Sequence, residues 1–242
     1  MPEISREVLE KLRTFDTPTI CNVIELFGVR PRNTGYMDAR IKANFPGMPP
    51  MVGFAATATF RSSAAPREGD AYGNTELQVS RFEELSGPPV IVFQDLDDPP
   101  VGATFGEVMC ATYKAFGAVG LITSGAGRDL EQVRALNFPV FTSSAICSHA
   151  YCHILHVHVS VHVGGIVVCP DDLLHGDTNG VTTIPGEIAA DLVDIGDEFI
   201  AAEGIILDSL RSETPSTKRL HEAIAEYKAR VAELRARVSR KG

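Results

Sequence analysis

The chain has 242 residues, of which 44% are hydrophobic and 22% are charged, so it is large enough to bury a globular core. Its formal net charge of −9 disfavours a direct nucleic-acid partner, because phosphate binding requires a basic face. No apolar run reaches the roughly 18 residues that span a bilayer, and the N-terminal segment lacks the apolar region of a secretory signal. We therefore expect a cytoplasmic protein without a membrane partner.

The first half of the chain predicts two helices followed by two strands. Residues 4–14 form a short amphipathic helix, and the next helix, Thr17–Gly28, has Thr17 as its N-cap and Pro18 at the first helical position. Val52–Phe60 and Pro89–Gln94 are predicted strands. The second strand is nearly all apolar, which places it at the centre of a sheet.

The second half alternates helices and strands and ends in two helices. The predicted helices are Gly106–Phe116, Asp129–Leu136, Gly186–Leu210 and Lys218–Val238. The predicted strands are Ala118–Thr123, Pro139–Thr142, Val157–Val163, Ile166–Cys169 and Val181–Ile184. Ser124–Gly127 forms a turn after the first of these strands. Neither a G-x-G-x-x-G fingerprint nor a P-loop occurs, which disfavours a dinucleotide-binding sheet.

The last predicted helix carries a narrow apolar seam. Its residues are spaced four and three apart and comprise Leu220, Ile224, Tyr227, Val231, Leu234 and Val238. Such a seam packs against one other helix, either Gly186–Leu210 of the same chain or a helix of a neighbouring subunit. We therefore divide the chain into an α/β domain, residues 1–210, and a C-terminal helix, residues 211–242.

Histidines and cysteines are the residue types that most often bind metals, but their arrangement here disfavours such a site. Five of the seven histidines lie in His149–His162. On a regular strand His156 and His158 would be roughly 6–7 Å apart, too far to share one zinc ion. We interpret them, with His162, as exposed or interface side chains. The five cysteines are scattered without C-x-x-C spacing, which indicates reduced thiols, most of them buried.

An adjacent cation and carboxylate, Arg128-Asp129, follow the strand Ala118–Thr123 and its glycine-rich turn. Open α/β folds place ligand chemistry at such strand ends. Alternatively, both residues are solvated in the first turn of a helix, where the helix dipole favours an aspartate.

Three separated blocks of the sequence carry a common pattern: Gly106-Glu107-Val108-Met109 with Arg128-Asp129, Gly164–Val168 with Gly176–Val181 and Ile184-Pro185, and Thr17–Ile20 ahead of Gly28. Together they resemble the RraA-like family, which includes class II 4-hydroxy-4-methyl-2-oxoglutarate aldolases, oxaloacetate decarboxylases and protein regulators of ribonuclease E. The resemblance covers about Thr17 to Glu203. It implies an α/β domain of the swivelling β/β/α type, with a mixed central sheet and, in this chain, a C-terminal helical extension.

The chain departs from the family pattern at several positions. Ser124 stands where the family commonly has Asp or Asn, Gln132 replaces a usual acidic residue, and Asn22 lies where Asp is frequent. The segment Ser143–His158 also lacks the usual Gly/Pro/Arg-rich run. These departures leave the substrate open.

The resemblance implies a lyase that depends on Mg²⁺ or Mn²⁺ and acts on a small 2-oxo acid. Asp129 would be the direct metal ligand, because Mg²⁺ is often held by one or two carboxylates plus substrate, and Glu107 would hold metal-coordinated water. Gly106 with the backbone N–H groups of Val108 and Met109 would bind the substrate carboxylate. Arg128 would contact the keto oxygen, where negative charge develops in a pyruvate enolate.

The same enolate arises from retro-aldol cleavage of a 4-hydroxy-2-oxo acid and from oxaloacetate decarboxylation. Only the first requires a base for the C4 hydroxyl, and Glu203 from a neighbouring subunit would serve through water. Glu198 is an alternative for this role, and Glu203 is otherwise a solvated residue on an amphipathic helix. The resemblance accordingly implies a homo-oligomer, a trimer or a hexamer. No lysine lies in an apolar strand as a Schiff-base enzyme would need. A non-catalytic regulator that binds a protein, or a dehydratase or hydrolase on the same scaffold, remains an alternative.

Overall fold

The computed structural model describes residues 4–69, 72–211 and 214–239. Seven α-helices occur in these segments: α1 Arg6–Leu12, α2 Thr17–Phe27, α3 Thr75–Ser80, α4 Glu107–Ala115, α5 Leu130–Ala135, α6 Ala189–Leu210 and α7 Thr217–Val238. None of the helices in this part of the chain is long and apolar enough to cross a membrane.

The same segments contain thirteen strands. They are β1 Lys42–Ala43, β2 Met51–Arg61, β3 Pro89–Asp95, β4 Ala103–Phe105, β5 Gly120–Thr123, β6 Ala126–Gly127, β7 Val140–Thr142, β8 Ser144–Ala145, β9 His153–Val157, β10 Val161–Val163, β11 Ile166–Val168, β12 Leu173–Asp177 and β13 Gly180–Ile184. Eight of them form one sheet in the order β1-β7-β5-β3-β2-β12-β13, with β9 also paired to β2. A small sheet, β4-β6-β8, and the β10-β11 hairpin complete the set.

The main sheet is mixed and curls into a nearly closed barrel. Strands β2, β3, β5 and β7 are parallel, whereas β1, β9, β12 and β13 pair antiparallel with their neighbours. The predicted α/β fold, with a mixed rather than a dinucleotide-binding sheet, is confirmed.

Burial of both faces explains why β3 is apolar along almost its whole length. Val90 and Val92 join a core cluster with Met51, Ile122 and Phe141 on one face. The intervening Ile91 and Phe93 join a second cluster, which includes Cys110 and Tyr113 of α4, on the other. Because both sides of the strand are covered, hydrophobic residues need not alternate with polar ones. The prediction of a central strand is confirmed by its position between β5 and β2.

Helices α1, α2, α6 and α7 pack together over a third cluster, which includes Phe54 of β2 and Leu173 of β12. Leu234 and Val238 of α7 are buried in this cluster, and Val231 packs against it. Arg237 of α7 pairs with Glu198 of α6 at 2.7 Å. The seam of α7 therefore contacts α6 of its own chain.

A buried histidine connects the N-terminal helices to the sheet. The His175 ring on β12 is 0% exposed; its Nε2 donates to the Leu12 carbonyl at 3.1 Å, and its Nδ1 accepts from the Thr17 hydroxyl at 3.0 Å. Asp177, from the family block, accepts from the Thr17 backbone N–H at 3.0 Å. The N-cap of α2 is Asp16, whose side chain accepts from Thr19 N–H, so the assignment of Thr17 as N-cap was wrong.

The prediction of one strand over Val157–Val163 is also wrong, because the backbone leaves the extended conformation between β9 and β10. His158 lies in the left-handed region at φ 52°, which ends the alternation that a flat strand requires. Its Nδ1 lies 3.5 Å from Glu84. His156 and His162 consequently belong to different strands and do not share one face with His158.

Three further predictions need correction. Strand β12 was not predicted, although all five of its residues are buried. The turn Ser124–Gly127 contains the short strand β6. Only Cys110 and Cys152 are buried among the five free cysteines, while Cys147 and Cys169 are exposed.

Acidification should weaken the fold through His175. Burial lowers the pKa of His175, so the unfolded chain takes up the proton more readily than the native one. The stabilisation is therefore complete above the ordinary histidine pKa of about 6.5 and is lost as the pH falls below it. In urea unfolding, the free energy of unfolding should differ less between pH 8 and pH 5 for His175→Gln than for the wild type. The control His221→Gln, at an exposed position, should show the same difference as the wild type. An equal difference for all three proteins would contradict the role of His175.

Candidate active site

A cavity of about 730 Å³ lies between the N-terminus of α4 and the segment that leads into α3. One wall is formed by Gly106, Val108, Met109 and Thr112, with Arg128 and Asp129 beside them. The other wall comprises residues 72–77. It contains most of the residues that the sequence singled out.

Asp129 caps α4 rather than its own helix α5. Its Oδ2 accepts from the Glu107 backbone N–H at 3.1 Å, and it makes no capping hydrogen bond to α5. The carboxylate therefore lies at the positive end of the α4 dipole, which favours an anion. Asp129 adopts left-handed backbone dihedrals, with φ 53° and ψ 38°, which are uncommon for a residue with a side chain. A non-glycine residue held in this region is a frequent feature of functional sites.

Gly106 provides the space that the Asp129 carboxylate occupies. A Cβ atom at position 106 would lie 2.5 Å from Asp129 Oδ2 and 3.1 Å from Arg128 Nε. Any larger residue would push the pair away from the start of α4. The close approach of the Asp129 and Arg128 side chains to the backbone thus explains the glycine at position 106.

Arg128 is held from two sides. Its Nη2 donates to the Tyr72 hydroxyl at 2.8 Å, and its Nε lies 3.6 Å from Asp129 Oδ2. The Tyr72 ring lies against His149, with centroids 5.2 Å apart. Burial raises the pKa of Tyr72, while the Arg128 charge opposes that shift. The guanidinium is therefore oriented in the cavity with part of its surface still exposed.

Ser124 is explained by a structural contact. Its hydroxyl accepts from the Asp95 backbone N–H at 2.9 Å, which joins the ends of β3 and β5. The next residue, Gly125, has its carbonyl bound by the hydroxyls of Thr142 and Ser143 at 2.7 and 2.8 Å. The turn that precedes Arg128 is thereby fixed to β3, to β7 and to Ser143, which links β7 to β8.

The structure brings together five of the seven predicted site residues: Gly106, Val108, Met109, Arg128 and Asp129 line one cavity. The Glu107 side chain is exposed and is not part of the lining, although its backbone N–H binds Asp129. Glu203 lies on α6, where the Asn22 amide donates to it at 3.5 Å. Burial and the neighbouring Asp16 raise the pKa of Glu203. Neither Glu203 nor these two neighbours is among the residues that line the cavity.

The sequence did not reveal the wall formed by residues 72–77. Gly73-Asn74-Thr75 is a turn followed by a helix start, and this signal could have located α3. It could not have shown that Tyr72 contacts Arg128, which is 56 residues away.

The described residues contain no group of three or more His, Cys, Asp or Glu side chains arranged to hold a metal ion. Glu76 and Asp129 are the carboxylate residues among those that line the cavity. Asp129 lies at the start of α4 with 39% of its side chain exposed, so it is open to a cation. One carboxylate suits Mg²⁺ better than zinc, because Mg²⁺ keeps several waters and also takes oxygen atoms from substrate.

The family model for RraA-like proteins, described as Aldolase/RraA, matches residues 17–183. This chain belongs to the RraA-like family. A Halalkalibacterium halodurans relative, named "Putative 4-hydroxy-4-methyl-2-oxoglutarate aldolase", is 33% identical over 116 residues, or 48% of this chain and 55% of the relative. The uncharacterized protein MJ0644 of Methanocaldococcus jannaschii is 32% identical over 94 residues, which are 38% of this chain and 45% of that protein. The chain thus spans about half the length of these relatives.

Solved structures agree on the fold. An uncharacterized protein from Pseudomonas syringae pv. tomato superposes with a TM-score of 0.70 at 22% identity, covering 92% of this chain and 94% of that one. RraAS2 of Streptomyces coelicolor, described as an unusual member of the RNase ES inhibitor RraA protein family, gives a TM-score of 0.67 at 22% identity. That match covers 84% of this RraA-like chain and 97% of RraAS2.

Replacing Gly106 with alanine should disrupt the site of this RraA-like protein without unfolding it. The new Cβ displaces Asp129 and Arg128, so we expect a destabilisation of about 1–3 kcal/mol, the usual cost of overpacking. Gly204→Ala in α6 is the matched control, because an added Cβ there has no atom within 4 Å. Crystal structures and thermal unfolding of both variants test this. A Gly106→Ala structure that keeps the bond from Glu107 N–H to Asp129 would disprove it.

Proposed function

We propose that this RraA-like protein is a divalent-metal-dependent carbon–carbon lyase that cleaves a 2-oxo acid through a pyruvate enolate. The observation that carries the proposal is the cavity itself. In it, a guanidinium and a carboxylate lie side by side at the first turn of a helix. Such a combination binds a carboxylate and a keto oxygen at one end of a small molecule.

The cofactor in this proposal is Mg²⁺ or Mn²⁺, held by Asp129. When bound, the cation supplies positive charge that stabilises the enolate oxygen. The Glu107 side chain, exposed at the start of α4, would hold water near the cation.

The protein's own groups position the substrate. The N–H groups of Val108 and Met109, in the first turn of α4, have no partner within the helix and are available to a substrate carboxylate. Arg128 then faces the keto oxygen. Because Tyr72 and Asp129 fix the guanidinium, little reorganisation is needed when negative charge develops.

Two leaving groups give the same enolate. Retro-aldol cleavage releases an aldehyde or ketone and requires removal of the C4 hydroxyl proton, whereas decarboxylation releases carbon dioxide without that step. Glu203 of a neighbouring subunit is our proposed base for the C4 hydroxyl, acting through water. The role requires a homo-oligomer, for which we propose a trimer or a hexamer, in the cytoplasm.

Replacing the central pair should abolish lyase activity. Asp129→Ala should remove metal-dependent pyruvate formation from oxaloacetate, and Arg128→Lys should lose most of it, because a point charge cannot replace the planar guanidinium. The control Glu131→Gln, which alters an exposed carboxylate outside the cavity, should keep wild-type turnover. The assay follows pyruvate with Mg²⁺ before and after EDTA. Near wild-type turnover by Asp129→Ala would exclude this site, and no wild-type activity on any 2-oxo acid would favour the regulator alternative.

Glu203→Gln should separate the two reactions. We expect a loss of about 100-fold or more in cleavage of a 4-hydroxy-2-oxo acid, the typical contribution of a general base, and a much smaller loss in oxaloacetate decarboxylation. Glu198→Gln, on the same helix, tests the alternative base and should affect neither reaction if Glu203 has the role. Equal loss of both activities in Glu203→Gln, or a monomer at the assay concentration, would contradict the cross-subunit role.

A further inference from the structure

The Tyr72 hydroxyl lies beside the Arg128 guanidinium in the cavity. It accepts the Arg128 Nη2 hydrogen bond at 2.8 Å. Arginine has only donors, so the phenol oxygen is the acceptor in this pair and its own proton points away from Arg128, where the Cys152 thiol, a weak acceptor, is its hydrogen-bond neighbour. The residue is fixed in the left-handed region, at φ 66°, by a hydrogen bond from its N–H to the Cys152 carbonyl at 2.8 Å.

The other hydroxyls in the cavity lining already donate to backbone carbonyls. Thr75 Oγ1 donates to the Tyr72 carbonyl at 3.0 Å, and Thr112 Oγ1 donates to the Val108 carbonyl at 2.8 Å. The Asn74 amide donates to the Ile154 carbonyl at 2.8 Å. A phenol is also far more acidic than an alcohol, and arginine keeps its proton in proteins. Tyr72 is thus the hydroxyl of the described lining best suited to give up a proton.

The groups that face Tyr72 keep its proton in place at neutral pH. Burial raises the pKa of the phenol, and the Cys152 thiol and Asp129 raise it further, while Arg128 opposes them. The His149 ring packs against it. The neutral phenol is therefore available as an acid, and the phenolate that remains after proton transfer lies beside the Arg128 guanidinium.

We propose that Tyr72 is the catalytic acid that protonates C3 of the pyruvate enolate. The enolate electron pair forms the new C3–H bond with the phenol proton, and the O–H pair stays on Tyr72 as phenolate. The phenolate then regains a proton from water. This step rests on the proposed lyase function, since cleavage of either substrate leaves an enolate that lacks one proton at C3.

Exchange of the pyruvate methyl protons in D₂O, followed by proton NMR with Mg²⁺ present, isolates this step. By microscopic reversibility the Tyr72 phenolate removes the same proton, so wild-type exchange should rise with pH as the phenolate fraction grows. Tyr72→Phe should lose about 100-fold or more of the exchange and its rise with pH, in the range typical of general acid–base catalysis. Tyr36→Phe is the control, because that exposed tyrosine lies outside the cavity.

Oxaloacetate consumption distinguishes catalysis from positioning. Loss of carbon dioxide needs no acid, and enolpyruvate can leave and tautomerise in water. Tyr72→Phe should therefore lower exchange at least about tenfold more than decarboxylation, whose smaller loss reflects the missing hydrogen bond to Arg128. If both rates fall by the same factor, Tyr72 only positions Arg128 and the proposal is overturned. Exchange that persists in an active Tyr72→Phe enzyme overturns it as well.

A wild-type protein with neither exchange nor lyase activity would overturn the proposed function and this role together. If Tyr72→Phe does not fold, replacement of tyrosine by 3-fluorotyrosine provides the second test. The more acidic phenol should move the pH profile of exchange to lower pH, and an unchanged profile contradicts the proposal.

Discussion

The hydrogen bond from the Glu107 N–H to the Asp129 carboxylate is the interaction on which the cavity depends. It joins the first residue of α4 to the residue that precedes α5, 22 positions later, and so fixes two helix starts against each other. Left-handed dihedrals at Asp129 cost on the order of 1–3 kcal/mol, which the surrounding contacts must offset. Because Arg128 is the adjacent residue, the same bond sets the direction of the guanidinium. The close approach is possible only because position 106 has no side chain.

The distribution of charge in this cavity favours an enzyme over a surface that only binds a protein. A protein-binding surface does not require a strained aspartate or a guanidinium aligned by a phenol inside a concave site. Preorganised dipoles and charges of this kind stabilise a transition state because they need no rearrangement during the reaction. The net charge of −9 fits either function, since it describes the whole surface and not the site.

The sequence predicted the features that depend on local pattern. The apolar run of β3, the glycine before α4 and the Arg128-Asp129 pair each carry a short-range signal, and the structure has the expected elements at these positions. Strand β12 lacked such a signal, because its His175 and Asp177 are polar residues whose burial depends on partners in α1 and α2. The contact of Tyr72 with Arg128 likewise depends on tertiary folding.

At His158 a local pattern gave a wrong prediction. The residues around it alternate between apolar and polar, so the sequence predicts one continuous strand. Period-two alternation specifies which side chains share a face only if the backbone stays extended, and a single residue at φ 52° ends that condition. The same change of backbone direction places His156 and His162 on two different strands.

A carboxyl group whose ionisation is unfavourable at neutral pH lies against the turn that precedes Arg128. Asp95, at the end of β3, is 8% exposed, and its Oδ2 has no hydrogen-bond partner. Burial raises its pKa to about 6, so its stabilising contribution is complete below about pH 4 and is lost as the pH rises through 6. Holding the ionised group there costs on the order of 3 kcal/mol. Its other oxygen accepts from the Asp97 N–H at 3.0 Å, and Asp97 in turn binds the backbone of Ser62 and Ser63. The loops behind the turn are therefore fixed at an energetic cost, as expected where a fold gives up stability to position reactive side chains.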